Sequence, residues 1–120
     1  MNPSQSLSLT KQLVSINTVS RNSNLELIHL VRDMLQKIGV KSRLTYNTYN
    51  TDKTKANLFA TLGDNKAAGI ILSGHTDTVP WDGQDWTVDP LGAVVQDGKL
   101  YGLGSCYMKG FIGTALAYAE

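Results

Sequence analysis

The apolar positions of residues 24–38 recur with the period of an amphipathic helix. Ser23 and Glu26 have the spacing of a capping box at its beginning, and Gly39 suits a left-handed stop at its end. A weaker helical pattern occupies residues 8–16. A third predicted helix has one apolar face and runs to the end of the chain; that face carries Met108, Phe111, Ile112, Ala115, Leu116 and Ala119.

Between these helices the pattern changes to that of strands, which are predicted over residues 42–46, 56–62 and 69–73. The last of these, GIILS, is a continuous apolar run, which is typical of a strand covered on both faces. Residues 94–96 and 99–101 flank Asp97 and Gly98, a pair that favours a type I′ hairpin. This order of elements predicts an α/β fold in which helices flank a sheet, and the sheet is incomplete at the C-terminus.

The composition indicates one small domain over residues 1–120 and excludes several classes of protein. Hydrophobic residues make up 42% of the chain, which is enough to build a core. A net charge of +1 argues against a nucleic-acid partner, and no apolar run is long enough to span a membrane. The single cysteine, Cys106, excludes an internal disulfide. We therefore expect a soluble, cytoplasmic protein.

The acidic residues are concentrated where basic residues are absent. Residues 67–98 contain no Lys or Arg and five aspartates, namely Asp77, Asp82, Asp85, Asp89 and Asp97. Such a stretch, which also contains His75, suits a bound cation. The alternative is that the aspartates mark turns, which accounts for Asp82, Asp89 and Asp97.

His75 and Asp77 directly follow the predicted buried strand, in the segment SGHTDTVP. Ligands of open α/β sheets bind at the carboxyl ends of strands. A neutral imidazole is a good zinc ligand, and a nearby carboxylate can hold its other ring N–H. Two interpretations are open at this point: a metal ligand with its orienting carboxylate, or a structural histidine.

The segment YGLGSCYMKG at residues 101–110 combines two glycines with the start of the last predicted helix. Its backbone N–H groups suit an anion, but its glycine spacing is not that of a dinucleotide-binding loop. Cys106 is interpreted as a packed side chain, because no second histidine lies nearby in the sequence to activate it. Lys109 is interpreted as solvated.

The blocks SGHTDTVPWDGQDWTVDP and DGKLYGLGSCYMKGF closely resemble the aminoacylase/carboxypeptidase family of two-metal zinc hydrolases. The resemblance implies the N-terminal part of a zinc-exopeptidase-like catalytic domain. It implies that His75 is a metal ligand and that Asp77 is the active-site carboxylate that orients it. Zinc or cobalt is the implied cofactor, and a homodimer is implied through a region absent from this chain.

The resemblance also implies a reaction, the hydrolysis of a small N-acyl amino acid. The segment NTVSRNSNLELIHLVRDMLQKIGVKSRL is similar to the branch that converts N-acetylornithine to ornithine and acetate in arginine biosynthesis. The branch that acts on succinyl-diaminopimelate is the alternative. In this family two cations activate a shared water and polarise the amide carbonyl, while a glutamate moves the proton.

Two departures from the family pattern bear on activity. The family motif G-x-x-D-M-K-G has its metal-bridging aspartate where this chain has Tyr107. A carboxylate offers two anionic oxygens to two cations, whereas a phenol offers one oxygen and more bulk. The general base and the other ligands of the family lie downstream, and Glu26 and Glu120 do not occupy the position of the base. We therefore expect the isolated chain to be inactive and its metal binding to be weak.

Three hypotheses of function remain open from the sequence. The chain is a truncated N-terminal piece of a deacylase, a degenerate product of a disrupted gene, or a retained interaction module that pairs with an intact subunit. The DNA after codon 120 separates them, since a continuing reading frame indicates truncation and an early stop indicates decay. The sequence favours the first hypothesis for descent and the second for present activity.

Overall fold

The computed structural model describes residues 3–47, 54–64 and 66–119. The helices of this part of the chain are α1 (Pro3–Val14), α2 (Leu25–Lys37) and α3 (Gly110–Ala117). Its strands are β1 (Ser42–Asn47), β2 (Lys55–Ala60), β3 (Val94–Gln96) and β4 (Lys99–Tyr101). A short π-helical turn, Ser105–Lys109, leads into α3. The α/β class is confirmed, and none of these helices has the length and hydropathy of a membrane span.

The predicted amphipathic helix is confirmed as α2, and its apolar stripe forms the core. The buried cluster consists of Leu13 from α1 with Leu27, Val31 and Leu35 from α2. Its partly buried neighbours include side chains of β2 and α3. Because α3 lies directly on α1, a Cβ on Gly113 would come within 2.9 Å of the backbone N of Thr10.

The beginning of α2 differs from the predicted capping box. The cap residue is Asn24, and the Ser23 hydroxyl accepts a hydrogen bond from the Leu25 N–H at 3.2 Å. The same hydroxyl donates to the backbone oxygen of Thr54 at 2.6 Å. Ser23 thus connects the start of the helix to the residue that precedes β2, a long-range contact that the local pattern does not contain.

The described strands form two separate antiparallel pairs. In the first pair Ser42 of β1 lies opposite Ala60 of β2. The second pair, β3 with β4, is the predicted hairpin, and it is confirmed. Asp97 and Gly98 have φ angles of 51° and 72°, the left-handed values that both central residues of a type I′ turn adopt.

The predicted buried strand over residues 69–73 is wrong. No strand forms there, and Ile70, Ile71 and Leu72 are 90%, 80% and 65% exposed. A continuous apolar run indicates that a segment suits burial, but it becomes a strand only where neighbouring strands supply hydrogen-bond partners. Within the described part of the chain, backbone pairing resumes only at Thr78, which forms a parallel bridge with Val19.

Candidate functional site

His75, Asp77 and Tyr107 come together at one open pocket of about 490 Å³. One wall is the segment that follows the exposed apolar run, and the other is the glycine-containing loop before α3. The Nδ1 atom of His75 lies 3.1 Å from Oδ1 of Asp77 and 3.1 Å from the backbone oxygen of the same residue. The structure therefore brings together the pair that the sequence singled out.

The two oxygens beside Nδ1 determine the tautomer of a neutral His75. Both accept hydrogen bonds, so the ring proton resides on Nδ1 and the lone pair on Nε2. The side chains of His75 and Asp77 are 37% and 49% exposed, so both are accessible from solvent. This arrangement presents an oriented imidazole whose Nε2 can bind a cation or accept a proton.

Tyr107 lies directly against this imidazole. Its ring meets the His75 ring edge to face, with the ring centroids 4.8 Å apart and the planes at 65°. Most of the Tyr107 side chain faces solvent. The structure thus places a phenol ring beside His75.

The segment that carries His75 is held by the chain between α1 and α2. The Thr18 hydroxyl donates to the Thr76 backbone oxygen at 2.6 Å. Two backbone hydrogen bonds complete the register, from Thr78 N to Thr18 O at 3.0 Å and from Ser20 N to Thr78 O at 2.9 Å. These bonds fix the backbone on both sides of Asp77.

Asn24 adds a second support. Its side-chain oxygen accepts from the Ala56 N–H at 2.9 Å, and its amide nitrogen donates to the Ala56 oxygen at 2.9 Å. The same amide nitrogen donates to the Thr76 hydroxyl at 2.9 Å. The cap residue of α2 therefore connects β2 to the residue beside His75.

The interpretation of Lys109 as solvated is wrong, because its side chain is only 1% exposed. Its Nζ donates a hydrogen bond to the backbone oxygen of Ile16 at 2.8 Å. Burial lowers the pKa of Lys109 to about 8, because desolvation penalises the charged form. Tyr107 and Met108 have non-helical backbone angles, so Lys109 lies before the regular helix, which begins at Gly110.

The interpretation of Cys106 as a packed side chain is also wrong, since this cysteine is exposed and lies along the pocket. Its loop begins at Gly104, whose φ of 76° turns the chain before the π-helical turn. A Cβ on Gly104 would come within 2.6 Å of the Thr78 side chain. Glycine at this position therefore permits the close approach of the two pocket walls.

The described residues do not complete a metal site. No group of three His, Cys, Asp or Glu side chains is gathered among residues 3–47, 54–64 and 66–119. Asp82 instead forms an ion pair with Arg21 at 2.8 Å, and its hydrogen bond to Arg21 lowers the pKa of Asp82. Asp89 accepts a hydrogen bond from the Leu91 N–H at 2.9 Å, which fits the turn interpretation. His75 and Asp77 supply one imidazole and its orienting carboxylate.

Comparisons with known proteins place these residues in a family context. Residues 71–120, which include both walls of the pocket, match the family described as Peptidase family M20/M25/M40. The chain is 39% identical over 111 residues to the acetylornithine deacetylase of Proteus mirabilis, covering 88% of this chain and 28% of the relative.

Two further relatives carry the same name. The chain is 43% identical over 89 residues to the acetylornithine deacetylase of Shigella sonnei, covering 74% of this chain and 22% of the relative. It is 40% identical over 97 residues to that of Pasteurella multocida, covering 81% of this chain and 25% of the relative. The chain therefore spans about a quarter of the length of the curated relatives it matches.

Proposed function

We propose that this chain belongs to peptidase family M20/M25/M40 and is part of the catalytic domain of a cytoplasmic amidohydrolase that acts on N-acetylornithine. The products are ornithine and acetate, and the reaction is a step of arginine biosynthesis. The observation that carries the proposal is the oriented His75–Asp77 pair at the pocket, within the region that matches the family. The alternative substrate is another N-acyl amino acid such as succinyl-diaminopimelate.

In this proposal Asp77 holds the Nδ1–H of His75, so that Nε2 is free to act as a metal ligand for zinc or cobalt. We propose that the remaining ligands and the general base come from chain outside these 120 residues. The length of the relatives supports this, because the chain covers only 22–28% of them. A homodimer, if the enzyme forms one, would also use that additional chain.

We further propose that the 120-residue chain does not catalyse the reaction by itself. Tyr107 supports this, because the phenol beside His75 has a single oxygen and lacks the two carboxylate oxygens that can bridge two cations. The same contact favours a second candidate, a non-catalytic remnant or interaction module descended from a hydrolase. Tyr107→Asp alone would not make the isolated chain active, because the general base would still be missing.

The test is a chimera in which this chain replaces the matching segment of the Proteus mirabilis relative. It is made in two versions, one with Tyr107 and one with Tyr107→Asp, and both are checked for folding by circular dichroism. We expect only the Tyr107→Asp version to release ornithine from N-acetylornithine. Adding His75→Ala to that version should abolish the activity, whereas adding His29→Ala on α2 should not.

The outcomes separate the candidates. A folded Tyr107→Asp chimera that hydrolyses only succinyl-diaminopimelate would support the alternative substrate. A folded chimera that hydrolyses neither compound would contradict the proposed activity and favour the non-catalytic candidate. Equal activity with Tyr107 and with Asp at this position would contradict the role given to Tyr107.

A further inference from the structure

The two walls of the pocket are hydrogen-bonded to the same short segment, residues 16–20. On one side, Thr18 and Ser20 bind the backbone of residues 76–78 through three hydrogen bonds of 2.6 to 3.0 Å. These bonds fix the position of the backbone that carries His75 and Asp77 relative to residues 16–20. None of residues 16–20 lines the pocket.

On the other side, the Lys109 ammonium reaches Ile16, which is 93 residues away in the sequence. The backbone N–H of Lys109 also donates to the backbone oxygen of Gly104 at 2.9 Å, and this bond closes the loop that carries Tyr107. Both ends of the loop lie close together, since a Cβ on Gly104 would be in ordinary contact with Cδ of Lys109 and with the backbone oxygen of Tyr107, each at 3.5 Å. Lys109 therefore joins the two ends of the loop to each other and joins the loop to Ile16.

The cost of burying this ammonium favours one position of the loop. A buried charged group is expensive unless it is hydrogen-bonded, and the Ile16 oxygen lies at 2.8 Å from Nζ. Movement of the loop away from residues 16–20 would break this bond inside the protein. The hydrogen bond of Lys109 therefore stabilises the position of the loop against residues 16–20, the segment that also holds the backbone around His75.

We infer that residues 16–20 set the distance between residue 107 and His75, and that Lys109 and Thr18 are positioning residues for the site. This inference rests on the proposed function only in identifying residue 107 and His75 as site residues. The positioning itself is a statement about geometry, and it is testable without metal or substrate.

The experiment uses the 120-residue chain with isotope-labelled histidine, at a concentration where sedimentation shows a monomer. The chain has two histidines, so the ring signals of His75 are read beside those of His29, which serves as an internal reference on α2. The ring of Tyr107 lies 4.8 Å from the His75 ring and shifts its signals. The change in these signals upon Tyr107→Leu measures that contribution.

Lys109→Met replaces the ammonium with an apolar side chain of similar length and removes the bond to Ile16. We expect the His75 signals to move toward their position in Tyr107→Leu, while the His29 signals stay in place. Thr18→Val keeps the side-chain shape and removes the bond to Thr76, and it should also shift the His75 signals. Ser15→Ala is the matched control, because the Ser15 hydroxyl donates to Gln12 within the same turn of chain and reaches neither wall.

Unchanged His75 signals in folded Lys109→Met and Thr18→Val chains would overturn the inference. A shift of equal size in Ser15→Ala would overturn it as well, because the effect would then not depend on the connecting bonds. If Lys109→Met does not fold, Thr18→Val decides alone, by a shift or by its absence. The spectra of the 120-residue chain do not depend on whether the chimera is active. Either proposal can therefore fail without the other.

Discussion

The ring of Tyr107 meets the imidazole of His75 edge to face, with the ring centroids 4.8 Å apart. Edge-to-face packing is a favourable arrangement of two aromatic rings. The contact therefore favours a tyrosine that stays beside the site histidine although most of its side chain faces solvent. Asp77 orients the imidazole, and residue 107 supplies no second carboxylate beside it.

The 120-residue chain should bind zinc weakly and at a single site. Tight zinc sites use three or four protein ligands, and no three candidate side chains gather within the ranges that the structure describes. Calorimetric titration with Zn²⁺ should give a weak signal that His75→Ala removes and His29→Ala leaves unchanged. Tight binding of two ions per chain would contradict this prediction.

Placing a tyrosine at the matching position of a complete relative should abolish its activity. In a complete relative that carries the family motif with its aspartate, we expect replacement of that aspartate to cost more than the roughly 10²–10⁴-fold typical of losing a general acid or base. The reason is that both metal ions lose a shared ligand. Deacetylation rates and bound metal are measured together. A rate within tenfold of the parent enzyme would mean that another carboxylate can bridge.

Raising the pH should stabilise the folded chain through Lys109. Its pKa is about 8 in the folded chain and has an ordinary value of 10.5, so between these values the unfolded chain binds more protons. The free energy of unfolding then rises with pH across this window, by up to about 3 kcal/mol. Below the folded pKa, Lys109 is protonated in both the folded and the unfolded chain, so it does not make the free energy of unfolding depend on pH.

Urea unfolding of the wild type and of Lys109→Met, at about pH 7 and about pH 10, isolates this effect. Other groups also ionise in this range, but they do so in both proteins. We expect the wild type to gain stability relative to Lys109→Met on going to the higher pH. The same pH dependence in the two proteins would argue that Lys109 is not buried as the structure has it.

Gly113→Ala should destabilise the chain, because α1 and α3 are too close for another methyl group. The new Cβ would lie 2.9 Å from the backbone N and 3.0 Å from Cα of Thr10, so a helix must shift. Overpacking of this kind costs about 1–3 kcal/mol. Gly69→Ala is the matched control, since nothing lies within 4 Å of a Cβ there. Equal urea midpoints for the two variants would contradict the close packing of α1 and α3.

Local patterns in the sequence were sufficient for the elements that local interactions stabilise. The period of α2 and the turn residues Asp97 and Gly98 act over a few residues, so their structures follow from neighbouring side chains. The His75–Asp77 pair belongs to the same class, because only Thr76 lies between the two residues in the chain. The α/β class followed from the order of these elements.

Contacts between distant parts of the chain decided the rest. The exposed run at residues 69–73 has the pattern of a covered strand, but pattern alone supplies no hydrogen-bond partner. Lys109 is buried because the loop before α3 turns it toward Ile16, which no periodicity near residue 109 indicates. Sequence by itself determined which residues are suited to a site. Only the tertiary structure decided which of them meet, because hydrogen bonds such as those of Lys109 and Thr18 join segments far apart in the chain.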